Sequence, residues 1–138
     1  DAAIEVYLEA IKDFSEEGVG VNARATLASI YFSDKEYDKA DVMLSQAIEI
    51  SPNEPAINML VAKMALIRQD SEKAIIALRI VVKETPENID AYVLLASAYQ
   101  LEGNEEQVKN IMNNAYVNNK SNPEALLKLS ELYLKRDV

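Results

Sequence analysis

Histidine and cysteine are absent from the 138 residues, glycine occurs three times and proline four. Without histidine and cysteine the commonest general base, the thiolate nucleophile and the usual transition-metal ligands all drop out together. A disulfide framework is excluded as well, and a chain without thiols is compatible with any redox compartment. Scarcity of glycine and proline removes the residues that interrupt helices, while Ala, Leu, Ile, Glu and Lys dominate. An all-α protein is therefore expected. No apolar stretch approaches the roughly 20 residues that a spanning helix needs, since even the one from Ala56 to Ala62, with Asn58 inside it, ends at Lys63. Direct membrane insertion is not expected.

Positive charge is also in short supply. Fourteen bases stand against 23 acids, a formal charge of -9 that repels phosphate backbones and anionic membrane surfaces, so no nucleic-acid partner is expected. With 49% hydrophobic residues the chain has enough apolar side chain to fold as a domain. It begins at Asp1 rather than methionine, so it reads as a piece of a longer chain whose leader or anchor would lie outside it. Localisation is left between the cytoplasm and a bacterial periplasm.

What is present is a repeat. Pro52 and Pro86 lie 34 residues apart, and the same step carries Ala40 to Ala74 to Val108, Leu44 to Leu78 to Met112, and Ala47 to Val81 to Ala115. A second set runs Leu27, Val61, Leu95 and Leu129, followed by Ala28, Ala62, Ala96 and Ser130, then Tyr31, Ala65, Tyr99 and Tyr133. Within each half these positions fall three or four apart, the spacing of one helix face. Each period is thus a pair of helices. The pattern predicts first helices near 21–33, 55–67, 89–101 and 123–136, second helices near 37–50, 71–84 and 104–118, and a helix over 2–14 before them. Turn and cap residues at Ser51-Pro52-Asn53-Glu54-Pro55, Thr85-Pro86-Glu87-Asn88 and Ser121-Asn122-Pro123-Glu124 agree, and Gly103 suits a left-handed helix exit.

This pattern resembles the tetratricopeptide repeat. The resemblance implies an α-α superhelix, a solenoid of antiparallel helical hairpins with a 34-residue period, forming one domain over 1–138. Repeats occupy 21–54, 55–88 and 89–122; residues 1–20 supply the second helix of a preceding repeat and its loop, and 123–138 the first helix of a following one. Small residues at the helix crossings let the axes approach closely. Two departures stand out. Glu16-Glu17-Gly18-Val19-Gly20 inserts about three residues relative to the 34 step, expected as a longer loop. Arg24 sits where the family has an aromatic or leucine, its stem expected on apolar surface and its head on Glu16 or Glu17.

The remaining chemistry is carboxylates. Glu5/Glu9, Glu16/Glu17 and Glu105/Glu106 read as solvated helix faces and loops rather than acid–base pairs. Asp34-Lys35-Glu36-Tyr37-Asp38 lacks the central glycine and closing glutamate of a calcium loop and reads as a turn. Gly18 and Gly20 belong to no nucleotide fingerprint. Asn119-Lys120-Ser121 matches the short glycosylation acceptor pattern, which arises often by chance. No catalytic residue, metal or cofactor is expected.

The family resemblance further implies a concave groove lined by the second, fifth, ninth, twelfth and thirteenth positions of each repeat. These are Asn22, Ala25, Ser29, Phe32 and Ser33, then Ala56, Met59, Lys63, Leu66 and Ile67, then Asp90, Val93, Ser97, Gln100 and Leu101. Some members hold the C-terminal carboxylate of a chaperone tail there with lysines and asparagines, but Ala25, Ser29, Met59, Lys63 and Val93 supply a single cation, so that clamp is not carried over. What the resemblance implies is a non-catalytic scaffold binding a protein or peptide segment. The alternatives are a structural module within a longer array and a non-catalytic domain of a larger enzyme. Long bacterial repeat proteins linked to exopolysaccharide export resemble the chain in style, as at Asn122-Pro123-Glu124-Ala125. An apolar stripe at Leu129, Leu132 and Tyr133 is expected to be exposed, so that the chain either forms a homodimer through its terminal helices or frays there.

Overall fold

The computed structural model describes residues 1–136, with all side chains except those of Leu132, Tyr133 and Arg136. The described residues form eight α-helices: α1 (Ala2–Asp13), α2 (Gly18–Ser33), α3 (Tyr37–Ile50), α4 (Pro55–Ile67), α5 (Ser71–Glu84), α6 (Ile89–Leu101), α7 (Glu105–Asn119) and α8 (Pro123–Arg136). The fold class is all-α, built of helical hairpins. Two compact units divide it, Asp1–Leu60 and Val61–Val138. In the first, α2 packs against α1 and α3; in the second, α6 packs against α5, α7 and α8, and α7 against α8.

The helix starts follow from short polar side chains that satisfy the free amides of a first turn. Asp1, Asp70, Asn88 and Asn104 accept from Ala3, Lys73, Ala91 and Gln107, and Asn122 accepts from both Glu124 and Ala125. The helix exits repeat with the sequence period. Lys35, Gln69 and Gly103, each 34 apart, all have positive φ, at 63°, 58° and 70°. In each case the following amide reaches back to the carbonyl five residues earlier: Glu36 to Tyr31, Asp70 to Ala65 and Asn104 to Tyr99. The amides of Lys35, Gln69 and Gly103 themselves donate to Phe32, Leu66 and Gln100. This paired arrangement closes a helix through one left-handed residue.

Burial has the same period. Leu27, Val61, Leu95 and Leu129 are buried, as are Ala28, Ala62 and Ala96, and on the second helices Ala40, Ala74 and Val108 with Ala47, Val81 and Ala115. Ala62 has no exposed surface, as expected of a residue where backbones come closest. In the second unit Ile89, Tyr92, Ala96, Val108, Met112, Ala115, Ala125 and Leu129 form one apolar cluster.

Three expectations need correction. The inserted residues do not lengthen a loop: Gly18, Val19 and Gly20 extend α2 by nearly a turn. The reason lies at Gly20, where a β-carbon would stand 2.1 Å from the Phe14 carbonyl oxygen, so the extra turn fits against the end of α1 only without a side chain. Arg24 meets neither Glu16 nor Glu17. Only 6% exposed, it donates from Nη1 to the Ser15 carbonyl at 2.6 Å and from Nε to Gln46 Oε1 at 3.2 Å, pinning the turn after α1 to α3. Leu129 is buried rather than exposed, because its repeat position turns it into the α6–α7 cluster. The expected exposure of Leu132 and Tyr133 falls outside the described side chains; on α8 it is Leu127 and Leu134 that face solvent.

Candidate functional site

Each of α2, α4 and α6 buries one face and leaves side chains of the other partly or fully exposed. On α2, Asn22 is exposed and Ser29 and Phe32 are half-buried. The Ser29 hydroxyl donates to the Ala25 carbonyl and the Ser33 hydroxyl to that of Ser29, at 3.2 and 3.0 Å. Such back-bonding consumes the hydroxyl proton and leaves the oxygen as an acceptor. Phe32 lies against Tyr37, ring centroids 5.0 Å apart. On α4, Met59 and Leu66 are half-buried, Lys63 is exposed, and Ile67 is 67% exposed. On α6, Val93 packs against the apolar cluster of its unit, whereas Ser97 and Gln100 are exposed; the Ser97 hydroxyl donates to the Val93 carbonyl at 3.0 Å.

None of these ten side chains is fully buried, but they are not equally free. Phe32 and Val93 spend part of their surface inside their own units. Asp90, at the second position of its repeat, is paired with Lys128 of α8. Charge is distributed unevenly: α2, α4 and α6 together hold one of the 23 acids, Asp90, and two of the 14 bases, Arg24 and Lys63. With Arg24 buried and Asp90 paired, Lys63 is the cation these helices present, and the surface around it is neutral to apolar.

A feature with no motif of its own lies at the α2–α3 turn. Two adjoining recesses of about 280 and 250 Å³ share Asp38 and Lys39; the first is lined by Lys35 to Lys39, the second by Tyr31, Asp38, Lys39, Val42 and Met43. Lys39 stands over the Tyr31 ring, 5.4 Å from its centroid, and is paired with Glu36. The hydrogen bond and charge of that carboxylate hold the Lys39 ammonium above its usual pKa. The run from Asp34 to Asp38 is thus a helix-closing turn. The acceptor pattern at Asn119 is likewise structural, since its side chain is buried and donates to the carbonyls of Pro86 and Ala115. Asn58, also buried, fastens the turn before α4 through Pro52 and Glu54.

Paired antiparallel helices with a common 34-residue register of burial, caps and left-handed exits define an all-α hairpin repeat. The family model described as tetratricopeptide repeat matches residues 21–54. Residues 21–54 are thus similar to a tetratricopeptide repeat, and the described residues as a whole share its helical-hairpin fold. No curated protein matches the chain. Among solved structures it is similar to the first tetratricopeptide repeat of Spaghetti (RPAP3) bound to an HSP90 peptide, at 16% identity and TM-score 0.63, over 86% of this chain and 94% of that one. It is also similar to the N-terminal domain of stress-induced protein-1 from C. elegans, at 18% identity and TM-score 0.66, over 82% and 94%. A third likeness is to the CopN-Scc3 complex, at 14% identity and TM-score 0.77, over 96% and 85%. At these identities the likeness is one of fold.

Proposed function

We propose that the chain is a non-catalytic protein-interaction scaffold that takes a peptide segment or a helix along the first helices, on Asn22, Ser29, Phe32, Met59, Lys63, Leu66, Ile67, Val93, Ser97 and Gln100. The carrying observation is Ile67, an aliphatic side chain two-thirds exposed on a helix without a single acid in a strongly acidic chain. Met59 and Leu66 keep partial access on the same helix, and Lys63 adds one directed charge. Apolar anchors with few charges are the composition of an interface centre. Hydroxyls already donating at Ser29 and Ser97 favour a partner that brings its own donors, such as backbone amides. A solved relative in fold carries a bound HSP90 peptide; the single cation here argues for a partner held by apolar side chains rather than by a carboxylate. The absence of histidine and cysteine supports the non-catalytic reading.

The test is to select binding peptides from a random display library and then measure them against Met59→Glu/Lys63→Glu. Loss of binding at least about a hundredfold with unchanged far-ultraviolet circular dichroism is expected, as for removal of a buried anchor. A second reading, a module whose ends stack on further repeats, is favoured by the exposed Val6 of α1 and by Leu127 and Leu134 of α8. Binders that ignore the double substitution and are lost on Leu127→Glu/Leu134→Glu would replace the first reading with the second.

A further inference from the structure

The chain has no cysteine and four methionines, Met43, Met59, Met64 and Met112. With no thiol present, the thioethers are the side chains that dilute peroxide attacks. The fold sorts these four. Met64 and Met112 are 5% and 1% exposed, and Met112 belongs to the apolar cluster of its unit. Met43 and Met59 are partly exposed. Met43 lines the recess that includes Tyr31, Lys39 and Val42, away from the residues read as the peptide face. Of the four, Met59 alone is both open to solvent and on that face.

We propose, on the reading that the first helices hold a peptide, that Met59 is an oxidative modification site through which peroxide releases that partner. The sulfur lone pair attacks one peroxide oxygen. An S–O bond forms as the O–O bond breaks, and the departing hydroxide takes up a proton and leaves as water. Sulfur loses two electrons and the peroxide gains them. A flexible, polarisable thioether suits an apolar anchor point, whereas the sulfoxide is polar and a strong hydrogen-bond acceptor. Covering it with an apolar partner leaves that acceptor without a donor, which weakens the complex. The step is reversible, because methionine sulfoxide reductases return the sulfoxide to the thioether at the expense of a thiol. Met64 and Met112 keep the core out of the reaction, so the change is confined to the surface.

Hydrogen peroxide is the probe. Peptide mapping by mass spectrometry follows oxygen uptake at each methionine, and display-selected peptides are measured before and after treatment. Met43 and Met59 are expected to be oxidised ahead of Met64 and Met112. Peptide affinity should fall at least about tenfold, with unchanged circular dichroism, and recover after reductases specific for the two sulfoxide epimers have acted. Met43→Leu should show the same fall, whereas Met59→Leu, whatever its starting affinity, should show none. Four results overturn the proposal: Met59 unoxidised while Met43 is converted, full binding by the Met59 sulfoxide, an equal fall in Met59→Leu, or a fall that comes with loss of helix. Peptides that ignore Met59→Glu/Lys63→Glu would remove the peptide reading and the switch together; peptides lost there but bound undiminished after oxidation would remove the switch alone.

Discussion

Three residues at equivalent positions, Lys35, Gln69 and Gly103, share a left-handed backbone, and only the last is the residue type suited to it. A side chain in that region costs about 1 kcal/mol relative to glycine. Lys35→Gly and Gln69→Gly are therefore expected each to stabilise the fold by roughly 0.5–1 kcal/mol, and Gly103→Ala to destabilise it by about 1 kcal/mol. Urea melts of the three variants check this, and stabilities unchanged by all three would show that the exits are not strained. Gly103 was legible as a helix exit from its residue type. Lys35 and Gln69 were not, because nothing in a lysine or glutamine signals positive φ; the 34-residue step was the available clue. Arg24 shows the same limit at a contact: its burial was foreseeable from its repeat position, but its acceptor is a backbone carbonyl, which no residue type announces.

At the scale of the element, the seven helix starts other than that of α2 fall within one residue of the positions set by the period and the cap residues. The departure of α2 has a local cause. Gly18 and Gly20 look like loop glycines, yet both are helical, and they differ in surroundings: a β-carbon at Gly18 meets nothing within 4 Å, whereas at Gly20 it collides with the Phe14 carbonyl. Gly18→Ala should thus raise stability by up to about 1 kcal/mol through helix propensity. Gly20→Ala should lower it by roughly 1–3 kcal/mol, since backbone must move. Thermal melts that rank the two alike would remove the close approach of α1 and α2 from the account. The candidate peptide face was legible only through the family resemblance, which numbers positions but does not say that Phe32 and Val93 are partly spent on their own hairpins.

For the whole molecule the governing quantity is charge. Twenty-two of 23 acids lie outside α2, α4 and α6, so the negative field comes from second helices, turns and the terminal helices. The ion pairs Lys39–Glu36 and Lys128–Asp90 are exposed and contribute little. Screening should then relieve more repulsion than it removes attraction: the melting temperature is expected to rise by a few degrees from low salt to about 0.5 M sodium chloride. A fall across that range would mean that favourable pairs outweigh the net charge. The Arg24 anchor carries a consequence of a different kind. Because its acceptors sit in the turn after α1 and on Gln46, while Asn58 ties down the turn before its own helix and Asn119 reaches from the end of α7 to Pro86 in the α5–α6 turn, the repeats are alike in outline and unlike in fastening. Placing the α2–α3 hairpin after a different turn would leave the buried Arg24 without these acceptors, so the repeats are not interchangeable parts even where their lengths agree.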